Sequence, residues 1–185
     1  MIIIGISGKK GSGKDTFASL LANELLGKLG LKVTLKAFAD KLKQCCAILS
    51  NQHEWNFYSQ YCKNKKAGFL SMTNRELMQK FGDLTRQLDP DIWIKLALDI
   101  NNVNTDVLII TDVRFKNEAK AIKDKGGILI RIESDRSLED NHISEIDLDS
   151  YNIFDFGIIN NKDTSLDRLK EQINDIINKI YGGNK

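Results

Sequence analysis

Proline is nearly missing from this sequence: Pro90 is the only one in 185 residues. Histidine is almost as scarce, at two residues (His53 and His142), and the three cysteines are an adjacent pair, Cys45 and Cys46, plus a solitary Cys62. An odd number of cysteines without C-x-x-C spacing makes neither a disulfide framework nor a zinc cage, and reduced thiols in a cytoplasm fit the pattern. An excess of charge of one sign is lacking too. Lys and Arg number 27 against 25 Asp and Glu, a formal +2, which is too even for a duplex-binding surface, so any basic site has to be local. There is no basic leader, cleavage site or apolar run long enough to span a bilayer, so neither export nor a membrane is expected. What remains is a globular chain with 42% hydrophobic and 28% charged residues, long enough for one core with room for an insertion.

Apolar periodicity supplies the organisation. Residues 2–6 are a β-branched run, 8–13 are glycine-rich, and 16–29 carry apolar residues at helical spacing, which predicts strand, loop and helix. Gly30 suits a left-handed helix stop, and 31–37 alternate as a second strand. A helix is expected over 38–50, an aromatic and polar insertion over 51–73, and helices over 74–86 and 91–101, separated at Asp89-Pro90. The wholly apolar run at 107–111 marks a strand buried on both faces. Helix at 117–125, strand at 128–132, a charged stretch at 133–150, strand at 154–159 and an amphipathic helix at 166–180 complete the pattern. Alternating strands and helices of this length imply a parallel α/β sheet.

Gly8-Lys9-Lys10-Gly11-Ser12-Gly13-Lys14 fits the G-x-x-x-x-G-K phosphate-binding loop and lies between the first strand and the first helix, where such a loop must lie. Glycines let backbone N–H groups turn onto phosphate oxygens, the helix N-terminus adds positive potential, and Lys14 brings a charge to the β and γ oxygens. The usual next residue, a magnesium-binding Ser or Thr, is replaced by Asp15, followed by Thr16. A carboxylate there would serve Mg²⁺ or would merely favour the positive helix end. Asp112, expected just past the 107–111 strand, occupies the place of a metal-ordering aspartate. Arginine is scarce, at six residues, and Arg75, Arg86, Arg114, Arg131 and Arg136 all fall outside the closing helix. Their planar forks match phosphate, although a structural ion pair would use them equally well.

The segments Gly8 to Thr16, Phe38-Ala39-Asp40, Asp89-Pro90-Asp91-Ile92-Trp93, Asp112-Val113-Arg114-Phe115-Lys116-Asn117-Glu118-Ala119 and His142-Ile143-Ser144-Glu145 stand in the order seen in phage and bacterial deoxynucleoside monophosphate kinases, which the chain resembles over nearly its whole length. That family also carries Lys-Asp at the end of the loop, as do animal phosphomevalonate kinases. The resemblance implies a three-layer α/β P-loop kinase fold with a five-stranded parallel sheet. It implies a core of residues 1–50 and 87–185, an inserted acceptor-binding helical region at about 51–86, and a lid at about 133–144. The substrates it implies are ATP and a deoxynucleoside monophosphate, with Mg²⁺, and neither a nucleic-acid polymer nor a membrane as partner; it leaves monomer and homodimer both open. Residue by residue, Gly11, Ser12, Gly13, Lys14, Asp15 and Thr16 would hold the ATP phosphates, and Asp15 and Asp112 the metal. Arg75, Arg86 and Arg114 would grip the acceptor phosphate, Asp40 would lie near its sugar or base, and Arg136 would close over the transferring group, with Lys14, Arg114 and Arg136 as the catalytic cations. Trp93 reads as core more readily than as a base-stacking platform. His142 and Glu145 read as a hydrogen-bonding pair.

Three rival functions are weighed against this one. A phosphomevalonate or dephospho-coenzyme A kinase would keep the donor half, but the aromatic insertion favours a base. A guanine-nucleotide switch would need an Asn/Thr-Lys-x-Asp reader, and Asn161-Lys162-Asp163 lacks its spacer. A kinase of nucleic-acid ends would want a basic groove.

Overall fold

The structure is a computed structural model and describes residues 1–99, 104–137 and 142–182. Strand β1 (Ile2–Gly8) lies at the centre of a five-stranded sheet, between β3 (Val107–Val113) and β4 (Ile128–Glu133), with β2 (Val33–Lys36) outside β3 and β5 (Phe156–Ile159) outside β4. All four pairings are parallel. The α/β class and the five parallel strands expected from the periodicity are therefore what the chain forms. The chain divides into two units, Met1–Ala37 with Asn102–Lys185, and Phe38–Asn101.

In the first unit the sheet is covered on both faces, which is why its central strands are apolar without alternation. Leu108, Ile109 and Ile110 have no exposed surface, and each such side chain contributes about 1.5–3 kcal/mol on burial. On one face, α1 (Lys14–Leu29) and α8 (Leu166–Tyr181) place Phe17, Leu21 and Leu25 and Leu169, Ile173, Ile176 and Ile177 against Ile4, Ile6, Ile109, Ile130 and Ile158. On the other, α6 (Lys116–Asp124) presses Ile122 so close to β1 that a Cβ on Gly5 would stand 2.6 Å from its Cδ1. α1 ends at Gly30, with φ +66° and its N–H on the Leu26 carbonyl, the left-handed stop that its sequence position suggests.

The second unit packs α2 (Asp40–Ser50), a 3₁₀ turn (Glu54–Phe57), α3 (Gln60–Lys63), α4 (Asn74–Leu88) and α5 (Ile92–Ala97) around Leu42, Cys46, Ala47, Phe57, Leu77 and Trp93. A Cβ on Gly82 of α4 would lie 3.3 Å from Leu42 Cδ2, so the two helices cross where α4 has no side chain. Trp93 is buried beside Phe81, with ring centroids 6.4 Å apart, and so belongs to this core. α4 begins with a capping box in which Thr73 Oγ1 accepts from the Glu76 N–H and Glu76 accepts from the Thr73 N–H. This unit is wider than the insertion expected at 51–86.

Several boundaries differ from the sequence expectation. The first helix begins at Lys14 rather than at residue 16, because loop and helix share backbone there. β3 runs on through Asp112 to Val113, so Asp112 is the penultimate residue of the strand rather than the residue following it. The charged stretch contains a short helix, α7 (Ile143–Ile146). The helix expected over 91–101 stops at Ala97, and its residues 100–101, like 138–141 of the expected lid, lie outside the described residues. Among the described residues no helix is long and apolar enough to cross a membrane.

Candidate active site

The crevice beyond the carboxyl ends of β1 and β3 is where an open parallel sheet binds ligands, because connections leave those strands in opposite directions. Both sequence signals meet there: the glycine loop follows β1 and Asp112 is next to last in β3. Gly13 has φ +87°, and a Cβ on it would collide with Asn160 Nδ2, so glycine is required twice over. Asn160, buried just past β5, donates to the Ser12 carbonyl at 2.9 Å and ties the loop to the far edge of the sheet. The Ser12 hydroxyl is buried, is 2.6 Å from where a Gly8 Cβ would stand, and has no hydrogen-bond partner among the described residues. Its N–H points back to the Lys9 carbonyl at 3.1 Å. α1 has no side-chain cap, since Gly13 holds the cap position, and so its first-turn N–H groups have no side-chain acceptor there.

Lys14 is only 9% exposed, and its Nζ donates to the Lys9 carbonyl at 2.9 Å. Burial, and then the neighbouring Arg114 cation, pull its pKa down from 10.5 to about 8, against the opposing pull of Glu145, Asp15 and Asp112. Arg114 is near enough for the two cations to repel, a cost that the neighbouring carboxylates offset only in part. Burial also works against the charge of Arg114, but Glu145 and Asp112 more than compensate and hold it protonated. Its backbone N–H donates to Glu118 Oε2 at 2.8 Å and its guanidinium pairs with Glu145.

Oxygen donors suited to a hard cation lie beside these cations. Asp15 and Thr16 are exposed on the first turn of α1, and Asp112 is half-buried at the end of β3. No group of three or more His, Cys, Asp or Glu among the described residues forms an all-protein cage. One or two carboxylates and a hydroxyl suit Mg²⁺, which keeps several waters and takes its other ligands from phosphates.

A protein of Acanthamoeba polyphaga mimivirus, provisionally named a deoxynucleotide monophosphate kinase, is 34% identical over 181 residues, covering 88% of this chain and 90% of its own. The chain belongs to the deoxynucleoside monophosphate kinase family. A family profile described as phosphomevalonate kinase matches residues 6–127, which include the loop, Asp112 and Arg114. Solved kinase structures align at lower similarity: shikimate kinase from Acinetobacter baumannii at 12% identity and TM-score 0.43, over 100% of this chain and 95% of its own. The APS kinase of Mycobacterium tuberculosis aligns at 13% and 0.40, over 97% and 96%. By its kinase relative and kinase profile the chain is a phosphotransferase.

Within the kinase, Lys14, Asp15, Asp112 and Arg114 stand in one electrostatic group around the Lys14 amine. Arg136 Nη2 donates to the Asn160 carbonyl at 2.8 Å, and Asn160 in turn holds the Ser12 carbonyl. In the second unit Arg75 Nε donates to Asn64 at 3.3 Å and Arg86 lies 3.9 Å from Asp83. Eleven residues separate them, about 16 Å along one face of α4. Asp40 accepts from the Tyr58 hydroxyl at 3.0 Å, and Lys43 lies 4.0 Å above the Tyr58 ring. Burial first, then Asp40, push the Tyr58 hydroxyl well above its ordinary pKa. His142 and Glu145 are hydrogen-bonded through the backbone, the Glu145 N–H donating to the His142 carbonyl at 2.8 Å, while the Glu145 carboxylate faces the Lys10 N–H and Arg114, and His142 Nδ1 lies 2.9 Å from the Ser144 hydroxyl. Tyr58 and Asn160 carry no sequence signal, because their partners Asp40 and Ser12 lie 18 and 148 positions away.

Proposed function

We propose that this enzyme transfers the γ-phosphoryl group of ATP to a deoxynucleoside 5′-monophosphate, giving ADP and the diphosphate, with Mg²⁺ as cofactor. The observation that carries the transfer is the buried Lys14 amine beside Arg114 beneath a glycine loop. The acceptor class rests on the mimivirus relative's name and on the residues shared with the family.

Bringing phosphate oxygens to the loop removes the penalty on both cations. Lys14 exchanges the Lys9 carbonyl for a phosphate oxygen, and the anion favours the charged form that burial disfavours. Arg114 neutralises charge that spreads over the transferring group, and Arg136 is assigned the same task from its own loop. First-turn N–H groups of α1 and the backbone of Gly11 to Thr16 hold the donor. Asp15 and Asp112 would hold Mg²⁺, which when bound would offset phosphate charge. Asp40, Arg75 and Arg86 are assigned to the acceptor. No protein base is required, since phosphoryl transfer rests on positioning and charge.

The profile match to phosphomevalonate kinase supports one competing acceptor. Incubation with ATP, Mg²⁺ and each dNMP, NMP or phosphomevalonate in turn, with the products separated, tests both. Formation of a dNDP is expected. ADP without dNDP, or a preference for phosphomevalonate, ends the reading.

A further inference from the structure

Glu145 belongs to no phosphate-loop motif, yet it touches two parts of the site at once. Its side chain is 7% exposed; Oε2 accepts from the backbone N–H of Lys10 at 2.9 Å, and Oε1 faces the guanidinium of Arg114. We propose that Glu145 is the positioning residue that clips Arg114 to the backbone of the phosphate loop, so that guanidinium and donor phosphates are held in one fixed relation. The inference rests on the assignment of Arg114 to the reacting phosphates.

The surroundings explain why one carboxylate suffices. Arg114 is fixed at both ends: Glu118 Oε2 accepts from the N–H groups of Arg114 and Phe115, at 2.8 and 3.1 Å, and Glu145 takes the far end. Glu145 is itself carried on an anchored segment. Asp147 accepts from the Lys116 N–H at 2.8 Å, and Asp149 lies 2.8 Å from Lys9 Nζ and 2.9 Å from Arg131 Nη2. Acids at 145, 147 and 149 thus pin this stretch to the glycine loop, to the start of α6 and to β4. An arginine so held loses little freedom when it meets phosphate, which is the means by which preorganised charge lowers a barrier. A carboxylate also keeps Arg114 from pressing its full charge on Lys14.

The test is a double-mutant cycle. Glu145→Gln keeps an acceptor for the Lys10 N–H but loses the charge that holds Arg114. It should lower kcat by about tenfold, on the scale of a mispositioned group, and change the KM for ATP by less than about twofold, with Glu145→Asp intermediate. In an Arg114→Ala background the same change should move the residual kcat by less than about twofold, because the residue acts through Arg114. Additive losses would overturn the proposal, as would a rise in kcat in Glu145→Gln, which would mean that Glu145 withholds Arg114. If the wild type transfers phosphate to no dNMP, the proposed reaction falls, and positioning is then read without substrate. Solvent exchange of the Arg114 guanidinium protons, followed by NMR, should quicken several-fold in Glu145→Gln while the remaining amide spectrum is kept, and unchanged exchange would refute the clip.

Discussion

Replacing Lys14 by methionine, similar in length and without charge, should make the nucleotide-free protein more stable. A pKa lowered from 10.5 to about 8 corresponds to about 3 kcal/mol at ~1.36 kcal/mol per pH unit. Below pH 8 the amine is charged both folded and unfolded, and the full cost of burying it is present. Between pH 8 and 10.5 the folded state gives up its proton while the unfolded state keeps it, and the cost drains away; above 10.5 both are neutral. Methionine loses the bond to the Lys9 carbonyl, but that carbonyl keeps the Ser12 N–H at 3.1 Å, so the loss is about 1 kcal/mol.

The net expectation for Lys14→Met at pH 7 is a gain of about 2 kcal/mol, or about 4–8 °C in Tm for a chain of this size. The gain should shrink as pH rises through 8 and be gone near pH 10. Denaturant melts in EDTA and phosphate-free buffer at pH 7, 8, 9 and 10 measure it, beside wild type. A variant less stable than wild type at pH 7, or a gain that does not change with pH, would refute the claim that Lys14 is held at a cost for the sake of an anion.

Lys14→Ala should abolish turnover with the fold intact, as circular dichroism and a kcat assay would show; retained kcat contradicts the phosphate role. Gly13→Ala should destabilise by about 1–3 kcal/mol from its backbone conformation alone, with an added cost from Asn160. Asn160→Ala should cost about 1 kcal/mol for the lost bond to Ser12, and the pair should be less damaging than the sum in urea melts, since the second change removes the collision. Asp15→Asn should raise the Mg²⁺ concentration for half-maximal rate, because one negative charge leaves the cation's surroundings; an unchanged magnesium curve at saturating ATP would limit Asp15 to complementing the helix end.

The sheet was legible because burial writes itself into local sequence. Val107 to Ile110 can be apolar throughout only where both faces are covered, and Leu169, Ile173, Ile176 and Ile177 repeat at the period of one helix face. The loop was legible because its constraint is also local, with Gly13 and Lys14 adjacent in sequence. The contacts that fix the loop are not local. Asn160 reaches Ser12 across 148 positions and Glu145 reaches Lys10 across 135, so neither leaves a period or a spacing behind. Helix α7 escaped because four residues make barely one turn, too few to show a helical repeat. Arg75 and Arg86 show the limit of composition: scarcity marks them, but it does not say whether Asn64 and Asp83 or a phosphate is the intended partner.

The near balance of charge, formal +2, is no obstacle to binding a polyanion once the site is local. Exposed charges act over about 8–10 Å in physiological salt, so surface acids far from the loop take little from its potential. That potential comes from the uncapped N-terminus of α1, from Lys14 with little water around it, and from Arg114. Glu145, Asp15 and Asp112 oppose it at close range and offset part of the cost of burying Lys14. The three acids do not cancel the pull on phosphate equally. On the proposed reaction a divalent cation arriving with the nucleotide would screen Asp15 and Asp112, while Glu145 is committed to Arg114 and the Lys10 N–H. On the proposed reaction a metal-bound nucleotide would therefore meet a more positive loop than a bare one, and donor and metal would reinforce each other's binding.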